Sequence, residues 1–328
     1  MSSPSVTVLM TSYNAGRFLD PAIRSIVNQT FRDWEFLIVD DCSTDGSVEL
    51  AAAWTERDPR IRLVRNPANK GQTACLNQGL REARGKWIAR QDADDLSHPL
   101  RLTRQFEAVT ACPDLVLVGT SGRMIDGNDR LAGLLDVPST TSLIRRMATF
   151  INPFLHTSVF FSTRVVRDDL GGYNERFRIA QDYDLWCRLV PEFASANLPA
   201  RLVSYRHLAS SLSKSQSPRA FDEAREIGRR HTGAVFPGRL TEEEVAALDS
   251  FREGLSSDHL KAFHSAIRRL GEGLEPGEKA PWQCFESALN LRAAGSLHGV
   301  PAIMSLVRAL RASPMFAASW LVERFVRR

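Results

Sequence analysis

Long apolar runs are missing from this chain: no stretch approaches the roughly 18–20 residues that a membrane-spanning helix needs. Cysteine is scarce and unpatterned. The five cysteines (Cys42, Cys75, Cys112, Cys187 and Cys284) include no Cys-x-x-Cys spacing, and an odd, scattered set suits a reduced interior better than a disulfide framework or a zinc site. The opening residues Met1-Ser2-Ser3-Pro4-Ser5 carry neither the basic segment nor the apolar core of a secretory signal. The expected location is therefore cytoplasmic, at most at the inner face of the membrane. Strong charge of one sign is lacking too: 42 Lys plus Arg against 38 Asp plus Glu leave a formal +4, too little to argue for nucleic acid as a partner. That surplus sits in one place, because residues 301–328 hold Arg308, Arg311, Arg324, Arg327 and Arg328 against Glu323 alone.

What is present is enough for a packed protein. With 328 residues, 43% of them hydrophobic, the chain accommodates two ordinary domains of roughly 150 residues, and disorder is excluded. The first 120 residues alternate short β-branched runs with longer segments of helical period, the pattern of βαβ units around a parallel sheet. Strands are predicted at Val6–Met10, Glu35–Val39, Ile61–Val64, Lys86–Arg90 and Leu115–Val118. Leu19, Ala22, Ile23, Ile26 and Val27 mark one sheet-facing helix; Ala74, Leu76, Leu80 and Ala83 mark another, with Gly85 as its terminator. From about residue 135 the pattern loosens into mixed segments. A linker is predicted around Ser210–Pro218, and the strand-poor remainder reads as helices.

Ligands of such sheets sit beyond the carboxyl ends of the strands, and here those ends are unusually polar. Thr11-Ser12-Tyr13-Asn14 follows the first strand, Asp40-Asp41-Cys42-Ser43-Thr44-Asp45-Gly46 the second, and Gln91-Asp92-Ala93-Asp94-Asp95 the fourth. On extended chain the carboxylates of Asp92 and Asp94 would point the same way. Two like charges side by side call for a divalent cation, and all-oxygen ligation suits Mg²⁺ or Mn²⁺; the alternative is an ordinary solvated loop. Asp40 and Asp41 can accept hydrogen bonds from a ribose hydroxyl or a base N–H, while Ser43, Thr44 and Asp45 equally suit a helix cap and Gly46 a tight bend. Thr11 and Tyr13 are candidates to line a base pocket.

The ordered series Val6-Thr7-Val8-Leu9-Met10-Thr11-Ser12-Tyr13-Asn14, Ser25-x-x-x-Gln29-Thr30-Phe31, Val39-Asp40-Asp41-x-Ser43-Thr44-Asp45-Gly46, Asn69-x-Gly71, Asn77-x-Gly79 and Asp92-Ala93-Asp94-Asp95 resembles the family 2 glycosyltransferases. The resemblance implies an α/β fold of the GT-A type, with a Rossmann-like nucleotide-binding half and a mixed sheet. It also implies a nucleoside diphosphate sugar donor, by default a UDP sugar, a divalent Mn²⁺ or Mg²⁺ cofactor, and inversion at the anomeric carbon. Asp40, Asp41, Asp92, Thr11 and Tyr13 would seat the donor. Asp92 and Asp94, with Asp95, would hold the metal. Gly171-Gly172-Tyr173-Asn174-Glu175 and Gln181-Asp182-Tyr183-Asp184-Leu185-Trp186 are similar to acceptor-half motifs of the family, which places the general base at Asp182. Gln181 departs from the family's usual Glu. For Asp182 itself the competing local reading is a helix N-cap, since Leu185, Trp186 and Leu189 continue at helical spacing. Tyr205-Arg206-His207 with Ser211-Leu212-Ser213 resembles the family's tail segment, which makes His207 a candidate for the diphosphate or metal. His156, beside Thr157 and Ser158, could face the acceptor cleft or pack at a strand end.

The expected organisation is a GT-A unit over residues 1–213, divided at about 130 into donor and acceptor halves, and a mainly helical region over 214–328. The expected partner on the far side of the reaction is a glycan or lipid-linked acceptor. Residues 306–311 and 320–328 interleave arginines with apolar residues, as in interfacial helices, helices packed on their own protein, or a dimer interface. Two other functions stay open: a nucleotide-sugar-binding module without transfer activity, and a nucleotidyltransferase. The latter should carry a Gly-rich basic loop after the first strand, where Thr11–Arg17 offers one glycine and one arginine.

Overall fold

The computed structural model describes residues 3–208, 217–253 and 259–295; Ser211–Ser213 and the basic segment 301–328 lie outside the described residues. The βαβ alternation becomes β1 (Val6–Ser12), α1 (Leu19–Val27), β2 (Trp34–Asp40), α2 (Ser47–Arg57), β3 (Ile61–Arg65), α3 (Gln72–Glu82) and β4 (Trp87–Asp92). These four strands run parallel in the order β3-β2-β1-β4. β1 and β2 are buried along their whole length, the reason their sequences read as continuous apolar runs instead of alternating ones.

The sheet then turns mixed. After β5 (Leu96–Ser97) and α4 (Arg101–Ala111) come β6 (Leu115–Ile125), β7 (Leu131–Leu135), α5 (Thr141–Met147), β8 (Phe160–Ser162), α6 (Gln181–Leu189) and β9 (Ala194–Arg206). β8 lies antiparallel between β4 and β6, β9 runs parallel beside β6, and β5 adds antiparallel at the edge. Four helices follow: α7 (Ser217–Val235), α8 (Glu242–Glu253), α9 (Leu260–Leu270) and α10 (Pro276–Gly295). The architecture is a GT-A fold with a helical C-terminal region. No helix among the described residues is long and apolar enough to cross a membrane.

Several local expectations are corrected. The fourth strand extends through Gln91 and Asp92, because the β1 ladder continues to the Thr11–Asp92 pair. Asp92 therefore ends a strand while Ala93 and Asp94 form a turn, so the two carboxylates are not related by strand alternation. The predicted linker is partly helical: Ser217 and Pro218 open α7, in keeping with proline's fit to a first helical turn. Gly85 is not a helix terminator. α3 ends at Glu82, and a Cβ on Gly85 would stand 2.3 Å from the backbone nitrogen of Thr7, so glycine is required for close approach to β1.

Three apolar clusters hold the layers together. One face of the parallel sheet packs on α1, α2 and α4 through Ile23, Ile26, Trp54 and Leu102. The other packs on α3 and α6 through Leu76, Leu80, Leu185 and Trp186, and Ile227 of α7 joins this cluster. A third cluster unites α5 (Leu143, Met147), Met124 and Leu135 of the β6–β7 hairpin, and Phe263, Ile267, Trp282 and Phe285 of the helical region.

Candidate active site

The polar clusters after β1, β2 and β4 meet at one sheet edge, as parallel strands in register require. Tyr13 is 55% exposed there, an aromatic ring free to stack on a base. The turn behind it is tied to the β2 loop: Asn14 N donates to Ser43 Oγ (2.9 Å), Thr44 N to Asn14 Oδ1 (2.8 Å) and Gly16 N to Asp45 Oδ2 (2.8 Å). Asp40 and Asp41 are both buried and both hold loops. Asp40 accepts from Ser43 N (2.9 Å) and Ser43 Oγ (2.6 Å). Asp41 accepts from Lys70 N and Gly71 N, each at 2.8 Å, while Asn69 donates to its carbonyl at 3.3 Å. The Asn69-x-Gly71 spacing is thereby explained as a clamp on Asp41.

The Asp92–Asp95 loop rests on three buried arginines. Arg90, fully buried in β4, donates to Thr11 Oγ1 (3.3 Å) and pairs with Asp92 Oδ1 (2.6 Å). Arg101 donates to Gln91 Oε1 (3.0 Å), Ser97 Oγ (2.7 Å), Thr157 O (2.9 Å) and Arg90 O (2.7 Å). Arg206 ends β9; its backbone N donates to Asp95 Oδ1 (2.6 Å), its Nε to Asp94 O (2.7 Å), and it pairs with Asp129 at 2.6 Å. Burial and then the Asp92 charge push the Asp94 carboxyl up to about 6, and burial with Asp94 and Asp92 pushes Asp95 well above the carboxylate range. Neighbouring carboxylates that resist ionising together are a donor set suited to a cation. Among the described residues no group of three or more His, Cys, Asp or Glu is arranged to hold a metal, so Asp92, Asp94, Asp95 and His207 do not form one ligand cluster. Asp95 fastens β9 instead, and His207, exposed beside Arg206, donates its backbone N to Ile125 O (2.8 Å). Asp92 and Asp94 fit the mode in which one or two carboxylates and substrate phosphates share the ion.

The acceptor-half residues gather around α6. Asp182 is its second residue; the N-cap position belongs to Ala180, so the capping reading of Asp182 does not hold. Asn152 Nδ2 donates to Asp182 Oδ2 at 2.7 Å. The loop that enters α6 is held by Glu223 of α7, whose carboxylate accepts from the backbone N of Arg178 (3.2 Å), Ile179 (3.0 Å) and Ala180 (2.9 Å). Gln181 is 3% exposed; its Nε2 donates to Gln72 Oε1 (3.2 Å) and its Oε1 has no hydrogen-bond partner. It thus faces the start of α3. His156 and Tyr173 share a 3.1 Å hydrogen bond, and both feel the charges of Arg90, Asp182 and Asp92. Burial, with Arg90, holds His156 below its ordinary value against the pull of Asp182 and Asp92. The His156–Tyr173 pair therefore lies within electrostatic reach of both the β4 loop and α6.

Residue-type reasoning passed over Arg90, Arg101, Arg206, Asn152 and Glu223. Arg90 had a signal, a charge inside the buried run Trp87-Ile88-Ala89, where only a paired cation is tolerated. Glu223 had none for this role, since beyond Arg219 in its own helix the groups it holds are backbone N–H groups more than 40 residues away.

The comparisons with known proteins agree with this architecture. The family model described as "Glycosyl transferase family 2" matches residues 7–169. The protein named "Putative glycosyltransferase EpsE" of Bacillus subtilis strain 168 is 34% identical over 228 residues, covering 68% of this chain and 80% of EpsE. The O-antigen biosynthesis glycosyltransferase WbnJ of Escherichia coli is 32% identical, covering 64% of this chain and 82% of WbnJ. Among solved structures, S. aureus TarS 1–349 in complex with UDP-GlcNAc superposes with a TM-score of 0.60 at 15% identity, covering 95% of this chain and 91% of that one. The mannosyltransferase PcManGT from Pyrobaculum calidifontis, in complex with GDP-Man and Mn²⁺, gives 0.52 at 19% identity, covering 97% and 83%.

Proposed function

Because the chain belongs to glycosyl transferase family 2 and is a glycosyltransferase, we propose that it moves a sugar, with inversion, from a nucleoside diphosphate donor to a hydroxyl of a glycan or lipid-linked acceptor. UDP is the first choice of nucleotide, supported by the UDP-GlcNAc complex of TarS; the O-antigen role in WbnJ's name supports polysaccharide synthesis. The observation that carries the reading is that the polar ends of β1, β2 and β4 meet at one sheet edge, where Asp92 N donates to Thr157 Oγ1 (3.2 Å) next to the His156–Tyr173 pair (3.1 Å).

Tyr13 would stack on the base and Thr11 line its pocket, while Asp40 and Asp41 keep the surrounding loops in place. Asp92 and Asp94 would hold Mn²⁺ or Mg²⁺, the former ion being present in PcManGT; bound there, it supplies neutralisation of the charge developing on the departing diphosphate. Arg90 keeps Asp92 turned to that edge. Asp182, oriented by Asn152, takes the proton of the acceptor hydroxyl as the new bond forms. Residues 1–213 make the catalytic unit, its donor and acceptor halves meeting near 130, and residues 214–328 its helical partner. We place the reaction in the cytoplasm, at the inner membrane face if the acceptor is lipid-linked.

Calorimetric titration with UDP, GDP and dTDP, each with and without Mn²⁺, tests the proposal. One nucleotide is expected to bind in a Mn²⁺-dependent way that Asp94→Ala abolishes. Absence of binding by any of them in either condition overturns the reading, and donor binding without transfer to any acceptor would leave a sugar-nucleotide-binding module.

A further inference from the structure

A second charged concavity lies on the other side of α5, built where the GT-A unit meets the helical region. The cleft, about 350 Å³, is lined by Arg145, Arg146, Val235, Phe236, Pro237 and Arg239. None of these residues takes part in the donor or acceptor groups described above. Three arginines line one small volume, and Arg145 and Arg146 have no ion pair among the described residues. Arg145 donates its Nε to Val190 O at 2.5 Å and has no ion pair among the described residues. Arg146 donates only to neutral oxygens: Leu270 O (2.7 Å), Ser142 O (3.2 Å), Ser142 Oγ (2.5 Å) and Glu272 O (2.9 Å). Arg239 reaches the exposed Glu272 carboxylate only at 3.6 Å. The nearby Glu278 is engaged elsewhere, accepting from Thr140 and from Glu275 N.

The cost of this arrangement shows at Arg146. Burial pulls its pKa down, and the repulsion of Arg239 and Arg145 adds to that against the favourable field of Glu278. Carbonyl bonds fix the guanidinium planes in place without cancelling their charge, which is preorganisation for an anion. Planar forks suit the tetrahedral oxygens of phosphate, which two arginines can bind bidentately. The volume is at the small end of ligand sites, and Val235, Phe236 and Pro237 give it an apolar flank.

We propose that this cleft is a binding site for a phosphate-bearing anion, separate from the donor site. The anion is either a free phosphate compound or the headgroup of an anionic lipid, and the cleft reads the chemistry the two share.

The full-length chain is titrated with inorganic pyrophosphate in EDTA, which withdraws the cation the donor site would use. In parallel it is sedimented with phosphatidylglycerol-containing vesicles and with pure phosphatidylcholine vesicles. Binding is expected in at least one arm and is expected to weaken at least about tenfold in Arg145→Gln and in Arg239→Gln, with metal-dependent nucleotide binding unchanged. Pyrophosphate binding alone assigns a free phosphate compound; retention by the anionic vesicles alone assigns a lipid headgroup. The partly exposed Arg239 side chain bonds Glu272 alone among the described residues, so Arg239→Gln decides the matter if Arg145→Gln does not fold. Failure of the wild type to bind in either arm overturns the proposal, as does binding that survives Arg239→Gln undiminished. Neither result bears on nucleotide binding, so the glycosyltransferase reading is tested separately.

Discussion

At the scale of single residues, the site is organised by which carboxylates are already engaged. Asp40, Asp41 and Asp95 are acceptors for the protein's own N–H and O–H groups. Asp182 differs in being only partly buried; Asn152 Nδ2 donates to its Oδ2, and the adjacent Tyr183 N to its Oδ1 at 2.8 Å. Asp182→Asn removes the proton acceptor while leaving shape and the donor half unchanged. Turnover is expected to fall by about 10²–10⁴-fold, the usual range for a general base, with nucleotide affinity unaltered. Steady-state kinetics beside calorimetry checks this, and normal turnover would remove Asp182 from the mechanism. Gln181 belongs to the same scale. A carboxylate at that position would face Asp182 as a neighbouring like charge, whereas the amide is neutral and bonds Gln72.

Elements matter through the way they fasten one another. Asn77 of α3 donates to Tyr173 O and Glu175 Oε1, both at 2.9 Å, and accepts from Tyr173 N at 2.8 Å. The Gly171-Gly172 turn ahead of Tyr173 has φ of +72° and +79°, and a Cβ on Gly172 would lie 2.7 Å from Asn77 Oδ1. Two separate motifs of the sequence are thus halves of one contact between donor and acceptor halves. The Ser25-x-x-x-Gln29-Thr30 motif is likewise structural, since Gln29 bonds His98 O (2.8 Å) and Leu102 N (3.0 Å) to seat α4. α7 does the same for α6. Burial works against ionisation of Glu223, yet its backbone bonds and Arg219 outweigh it and hold the carboxyl below its ordinary range. Glu223→Ala strands three N–H groups at the entry to Asp182's helix. It is expected to cost about 1–3 kcal/mol of stability and to lower kcat while donor affinity stays level. Denaturant titration and kinetics measure the two effects. An unchanged kcat would show that α6 holds its position without these bonds.

For the whole molecule, the decisive feature is that the helical region is built into the catalytic cores. Ile227 packs with Leu185 and Trp186, and Phe263 and Phe285 pack with Leu143 and Met147. Arg230 of α7 also pairs with the buried Asp184 of α6. A chain ending after residue 213 would expose these surfaces and leave Asp184 paired with Arg188 alone. Loss of the buried Ile227 at about 2 kcal/mol and of Glu223's three backbone bonds predicts a melting temperature lower by at least about 10 °C. Thermal denaturation of the shortened chain beside the full chain measures it, and equal melting temperatures would make the helical region an independent appendage.

How much was legible follows from the range of the interactions. Strand and helix periods of the first 120 residues are local, because burial on one face repeats every two or 3.6 residues; they announced the parallel sheet and its polar edge. The spacing of Asp92, Asp94 and Asp182 was readable for the same reason, as short motifs in a recognisable order. Strand β9 was not, since its pairing with β6 spans about 80 residues and includes register shifts. Local composition carries no trace of which distant backbone a side chain will meet. The sequence by itself determined the layered α/β plan, its polar sheet edge and the residue types gathered there. Tertiary structure alone decided that Asp40, Asp41 and Asp95 hold neighbouring backbone, that three arginines support the aspartate turn, and that Glu223 holds the loop entering α6. Burial makes those choices, because a charge removed from water must find a partner wherever the fold supplies one.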